Sequence, residues 1–271
     1  NIRTVIVHGA AAQIQSLAEQ QGLHPSDLEG SGVTDDETLK LALTAANRLT
    51  HEILEGLSAH DLRAVCTNAV TAVPLGILHG VDHRFTGKVE RVDASLFQSL
   101  LNQDVIPVVP PLGFDGDGRT YRVNSDHMAV ALAEALKATK VIFITVADGL
   151  FFQGQFVRQI LAGDLDQIIA HKSHEILPGM LSKATHAVAA CRAGVPRVHL
   201  INGKVDEGLL AEVFSNEGIG TLIYANEYQQ IRRAMKKDVS AILKLTKQAV
   251  ASEELVKRTR ATIEKQLGDY Y

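Results

Sequence analysis

The sequence predicts an α/β fold: a three-layer sandwich in which a mostly parallel sheet is covered by helices on both faces. Two observations carry that reading. Short β-branched runs without polar alternation recur along the chain, as strands buried on both faces require. Between them lie longer stretches with apolar residues at 3.6-residue spacing, the pattern of helices packed against a sheet.

The first run, Thr4-Val-Ile-Val-His8, ends at Gly9 and feeds a helical stretch over about 12–20. Further strands are expected at Ala64-Val-Cys66, within Asp104-Val-Ile-Pro-Val-Val-Pro110, at 140–145 and at 197–201. Helices are expected over 36–55, 125–138, 182–193 and 207–214. A hairpin-like insert over 80–92 interrupts the alternation, with His83-Arg84-Phe85-Thr86-Gly87-Lys88 at its polar centre. Phe114-Asp-Gly-Asp-Gly118 reads as a turn; its DxDG lacks the acidic ligand that an EF-hand calcium loop places about six residues after the glycine. No metal site is expected.

The pattern changes after Tyr224, which places one domain at 1–224 and a linker with the start of a second at 225–271. The tail offers a polar-alternating strand near 229–235, a helix capped by Asp238 and a further helix over about 255–267. One strand and two helices cannot enclose a core.

The chain has 271 residues, 46% of them hydrophobic and 21% charged, as expected of a soluble globular protein. No run reaches the roughly 18 apolar residues of a membrane span, and no signal-peptide pattern opens the chain. Cys66 and Cys191 lie far apart and read as small buried hydrophobes in a reducing cytoplasm. The net charge of −4 conceals an asymmetry: residues 225–271 hold 10 Lys/Arg against 6 Asp/Glu, leaving −8 on residues 1–224. An acidic main body argues against nucleic acid as a partner.

Five motifs then appear in order. His8-Gly9-Ala10-Ala11-Ala12-Gln13-Ile14 lies at a strand-to-helix turn, where backbone N–H groups point to the crevice beyond the strand ends. It resembles the HGGGPQI turn of acetylglutamate kinases, in the amino-acid kinase family. Gly30-Ser31-Gly32-Val33-Thr34-Asp35-Asp36-Glu37-Thr38-Leu39 resembles their GLRVTDDETL segment. Val123-Asn124-Ser125-Asp126-His127-Met128-Ala129 resembles their NxNAD element. Pro178-Gly179-Met180-Leu181-Ser182-Lys183 resembles their GMxxK, and Gly218-Ile219-Gly220-Thr221 their GIGT.

The departures weigh as much as the matches. Ala10 and Ala11 replace glycines that admit a transferring phosphoryl group in the kinases, and their Cβ atoms would crowd that approach. Gly32 replaces the arginine that clamps the substrate carboxylate. Arg122 stands for a substrate-contacting asparagine, and Val146 for an aspartate on the nucleotide side. The kinases' first strand, with its Lys-x-Gly-Gly, would precede residue 1. Gly9, Ala10, Asp126 and Lys183 therefore read as a vestigial kinase crevice, with Asp126 and Lys183 kept as a structural pair.

These departures point to N-acetylglutamate synthases, which join a kinase-like domain to a GNAT acetyltransferase domain. Residues 83–93 resemble their RHSGKVxxVD-type segment, and residues 231–264 the first strand and helices of the GNAT domain, an α+β fold. The resemblance implies transfer of acetyl from acetyl-CoA to the α-amine of L-glutamate, in arginine biosynthesis, by the intact protein. The CoA-binding turn is then expected beyond Tyr271, the fragment alone inactive, and Arg258 at the glutamate carboxylate. It further implies L-arginine as inhibitor, at Lys183, His199, Glu212, Ser215, Gly218 and Gly220, and a homo-oligomer. An active acetylglutamate kinase and a non-enzymatic amino-acid sensor are the alternatives.

Overall fold

The computed structural model describes residues 2–214, 219–225, 239–240, 242–244, 246, 256 and 258–266. The chain forms two compact units, residues 1–226 and 227–271.

The first unit opens with β1 (Ile6–Val7), α1 (Ala11–Gln21), α2 (Asp36–Ser58) and β2 (Ala64–Cys66). A run of strands follows: β3 (Val70–Pro74), β4 (Ile77–Leu78), β5 (Val81–Asp82) and β6 (Thr86–Val92). Then come α3 (Ala94–Asn102), β7 (Ile106–Val109), β8 (Leu112–Phe114), β9 (Thr120–Val123) and α4 (Ser125–Ala135). The second half holds β10 (Val141–Thr145), β11 (Phe151–Phe152), β12 (Gln155–Phe156), β13 (Gln159–Leu161), α5 (Ala162–Lys172) and α6 (Pro178–Arg192). It closes with β14 (Arg197–Asn202), α7 (Gly208–Phe214) and β15 (Thr221–Tyr224).

The sheet is mostly parallel but divided among the described residues. In the order β1-β7-β2 every pairing is parallel. In the order β10-β14-β15-β13, the flanking pairs are parallel and β14 runs antiparallel to β15. Strands β3, β6, β9 and β8 close a small barrel. Sequence periodicity had supplied none of β3, α3 and α5, because runs this short are shared between strand and helix patterns. The expected hairpin over 80–92 is also redrawn. The hairpin is β4–β5, turned by His79 and Gly80 at φ 52° and 81°, while β6 joins the barrel against β3.

Helix starts follow side-chain caps. Asp35 accepts from the Thr38 N–H at the head of α2, with Asp36 and Glu37 in the first turn complementing the helix dipole. Asp93 and Asn124 do the same for α3 and α4, accepting from Leu96 and His127. The start expected at Ser182 moves to Pro178, a residue preorganised for the first turn.

Among the described residues three apolar clusters form the cores. One, under α1 and α2, holds Ala10, Ile14, Ala18, Leu41 and Leu112. Another joins barrel and α4 through Phe97, Tyr121, Val123 and Met128. The third packs α5 and α6 on the β10–β13 sheet through Leu165, Ala184, Val188, Leu200 and Ile223. Cys191 is buried there, and burial pushes its thiol up to about 11. Cys66, expected inside, is exposed at the end of the edge strand β2.

The Asp115 turn closes on itself. Its carboxylate accepts from the N–H groups of Asp117 and Arg119 and from the Tyr121 hydroxyl, so its oxygens hold the β8–β9 turn.

In the second unit, residues 239–240, 242–244 and 246 are helical, as is Arg260–Gln266, both within expected helices. The expected strand at 229–235 lies outside the described residues.

Candidate functional site

The crevice is built where β1 and β9 hand over to helices. His8 is buried, with Nε2 2.9 Å from Thr50 Oγ1, whose hydroxyl lies 2.8 Å from the Ala46 carbonyl. Burial lowers the His8 pKa, opposed in part by the Gly9 carbonyl beside Nδ1. Gly9 faces the head of α4: a Cβ there would stand 3.1 Å from Ser125 Oγ. The next residue, Asp126, is 7% exposed and bound through both oxygens. Lys183 Nζ from α6 reaches them at 2.9 and 3.1 Å, and Ser182 Oγ donates at 3.2 Å. The ammonium also stands 5.7 Å from the centre of the Phe143 ring. Acid and base thus neutralise each other within the crevice.

Gly9, Asp126 and Lys183 are therefore brought together, with Ser125 between the first two. Ala10 is placed beside them in the chain, at the start of α1. It is 3% exposed and belongs to the α1–α2 core, so its methyl group is taken up by packing under the helix.

The positions that depart from the kinase pattern have their own geometry. A Cβ on Gly32 would lie 3.0 Å from Asp27 Oδ1, so a side chain there would need the Asp27 side chain to give way. Arg122, 2% exposed, turns its guanidinium on the loop before Gly32. Val146, beyond the end of β10, is 78% exposed.

A second centre joins β14, α7 and β15. His199 Nδ1 donates to Glu212 Oε1, while Glu212 Oε2 accepts from the N–H groups of Ile219 (2.7 Å) and Gly220 (3.3 Å). His199 and Glu212 are 6% and 4% exposed. Burial lowers the His199 pKa, and Lys140 and Arg197 add to that, against the upward pull of Glu212. Burial alone would raise the Glu212 pKa, but the Ile219 N–H, His199 and the Gly220 N–H together bring it below the ordinary value. The centre is thus a neutral imidazole donating to a carboxylate. Among the described residues, His199 Nε2, on the other side of the ring, is buried without a hydrogen-bond partner. A Cβ on Gly220 would fall 2.0 Å from the Leu200 carbonyl oxygen, which is why the turn into β15 needs glycine.

The expected effector residues are thereby divided. His199, Glu212 and Gly220 meet; Lys183 is committed to Asp126; Ser215 and Gly218 lie outside the described residues. Arg258 is an exposed residue of the second unit, two positions before the helix Arg260–Gln266.

The sequence pattern of the amino acid kinase family matches residues 1–202, about three quarters of the chain. The chain belongs to the amino acid kinase family. Among relatives in this family, the acetylglutamate kinase of Kosmotoga olearia is 34% identical over 227 residues, 82% of this chain and 79% of its own. The amino-acid acetyltransferase of Azotobacter vinelandii is 31% identical over 283 aligned residues, covering 99% of this chain and 64% of its own. Among solved structures, N-acetylglutamate synthase from Neisseria gonorrhoeae complexed with coenzyme A and N-acetyl-glutamate matches with a TM-score of 0.77 and 29% identity, over 98% of this chain and 62% of that one. The same enzyme complexed with coenzyme A and L-arginine gives a TM-score of 0.75 and 28% identity, over 98% and 63%. The chain thus spans less than two thirds of the acetyltransferases it matches.

Sequence reasoning singled out Gly9, Asp126 and Lys183 but not Ser182 as a third contact of Asp126, nor Thr50 as the partner of His8. It also missed Asp27, which sits in an unremarkable Ser26-Asp-Leu-Glu29 stretch. Ser182 had a signal, standing next to Lys183 on the helix start. Thr50, 42 residues from His8, had none. A cavity of about 390 Å³ beside the end of α1 is lined by Gln15, Glu19, Gly22, Leu23, His24 and Pro25, none of them an expected site residue. Among the described residues no group of three or more His, Cys, Asp or Glu could hold a metal ion. No described helix is long and apolar enough to cross a membrane.

Proposed function

We propose that the chain is part of an N-acetylglutamate synthase, a cytoplasmic enzyme that transfers acetyl from acetyl-CoA to the α-amine of L-glutamate for arginine biosynthesis. One observation carries this reading. The acetyltransferases align over 98–99% of the chain, which takes in most of residues 227–271, whereas the kinase of Kosmotoga olearia aligns over 82%. In the reaction, the amine loses its proton and attacks the thioester carbonyl. The C–S bond then breaks and the sulfur leaves as thiol, with backbone N–H groups holding the transient oxyanion. Acetyl-CoA is held by sequence outside these 271 residues, in the GNAT domain that residues 225–271 begin. Arg258 is assigned to the glutamate carboxylate.

Residues 1–224 act in this proposal as an arginine-responsive regulatory domain. The support is local. With Nδ1 donating, His199 Nε2 is an acceptor without a partner among the described residues, and Glu212 Oε1 retains one acceptor position there. A guanidinium or α-ammonium group supplies the donors those positions take. The complex of the Neisseria gonorrhoeae synthase with L-arginine supports the same ligand.

The full-length protein should release free thiol from acetyl-CoA when L-glutamate is added, and arginine should slow that release. ATP-dependent phosphorylation of N-acetylglutamate, with no thiol release, would establish the kinase alternative instead. Millimolar arginine should also raise the melting temperature of the 271-residue chain. No shift in a sample shown to be folded would remove the regulatory site.

A further inference from the structure

A guanidinium buried to 2% exposure is stable only when its donors are satisfied. Arg122 on β9 meets that condition with one short loop. Its Nη1 donates to the Asp27 carbonyl at 2.7 Å and stands 3.4 Å from Asp27 Oδ2, while Nη2 donates to the Leu28 carbonyl. Two residues on, Asn124 Nδ2 donates to the Glu29 carbonyl at 3.0 Å. Three successive loop carbonyls therefore face donors about 95 residues away in sequence. The loop closes on the same carboxylate, because the Gly30 N–H donates to Asp27 Oδ2.

The fit leaves no slack. A Cβ on Gly30, at φ +76°, would come within 3.3 Å of the Val123 and Asn124 backbone. Beyond it, the Gly32 carbonyl accepts from Thr86 Oγ1 at 2.6 Å, which ties the loop to the barrel.

Two carbonyls and a carboxylate converging on one spot form a receptor for a planar cation. Lysine has the charge but not the fork, and an anion is repelled. We infer that residues 27–30 are a guanidinium-binding loop whose ligand is supplied from within the chain by Arg122. The loop is a strap latched across the β9–α4 junction without any external molecule. Nη1 and Nη2 of Arg122 are spent on the strap, so they do not receive a dicarboxylate. Free arginine is shut out of this cage as long as Arg122 fills it.

The test is amide exchange at Gly30 in the whole chain. Arg122→Ala should raise the exchange rate at least about tenfold, a local opening. Ethylguanidinium added to Arg122→Ala should restore protection, and ethylammonium at the same concentration should not. An unchanged rate in Arg122→Ala, equal rescue by both amines, or rescue surviving in the Arg122→Ala/Asp27→Ala variant would each overturn the inference. Should Arg122→Ala fail to fold, Arg122→Lys keeps the charge and the stem. It should lose protection at Gly30, and full protection there would refute the need for a fork.

Discussion

The Lys183 ammonium holds both carboxylate oxygens of Asp126, at 2.9 and 3.1 Å, and so joins the head of α6 to the head of α4. With 24% and 10% of the two side chains exposed, neither charge is well hydrated. Lys183→Met should cost about 1–3 kcal/mol by leaving Asp126 unpaired. Asp126→Asn in the same background should then cost less than it does alone, since the charge left stranded is removed. A double-mutant cycle by urea unfolding measures this, with a coupling of about 1–2 kcal/mol expected.

Glu212 accepts from an imidazole and two backbone N–H groups. Glu212→Gln places an amide donor against one of those donors, and a loss of about 2–4 kcal/mol is expected from urea titration. Gly220 should be still less tolerant. Its missing Cβ would lie 2.0 Å from the Leu200 oxygen, so Gly220→Ala should cost at least about 3 kcal/mol. Gly116→Ala, built into open space, is the control and should be near neutral.

Acidification should destabilise the chain. Burial holds His8, His127 and His199 below the ordinary imidazole value of 6.5, with His186 and Lys88 adding to the effect at His127. Below that value the unfolded chain takes up protons that the folded chain refuses. Stability is therefore complete above about 6.5 and falls as the pH drops toward the folded values, by at most about 1.4 kcal/mol per unit for each proton. Glu212, depressed in the fold, adds a further loss at lower pH, as it becomes protonated. Urea unfolding between about pH 7.5 and pH 5 reads the slope, and His127→Gln should make it shallower.

Much of the fold is legible in the sequence because buried parallel strands have no polar partners to disguise them. Val141–Thr145 stands out for that reason. The barrel strands do not: Val70–Pro74 alternates buried and half-buried positions, and its pairing with β6 shifts register between Thr71 and Ala72. The site was readable where the chemistry is local, as at Ser125–Asp126 with Lys183. Arg122 shows the opposite case. Its departure from the kinase pattern was visible, but its partner at Asp27, 95 residues earlier, depends on a tertiary contact that no spacing encodes.

The β3-β6-β9-β8 barrel has one further meaning. Among the described residues its closure leaves no ladder open at either side, and the β4–β5 excursion hangs from it, paired with itself through Ile77↔Asp82 and Leu78↔Val81. The polypeptide can therefore be cut or lengthened between His79 and Gly80 without breaking a rung of the barrel, which makes that tip the natural place to graft a tag or relocate the chain ends.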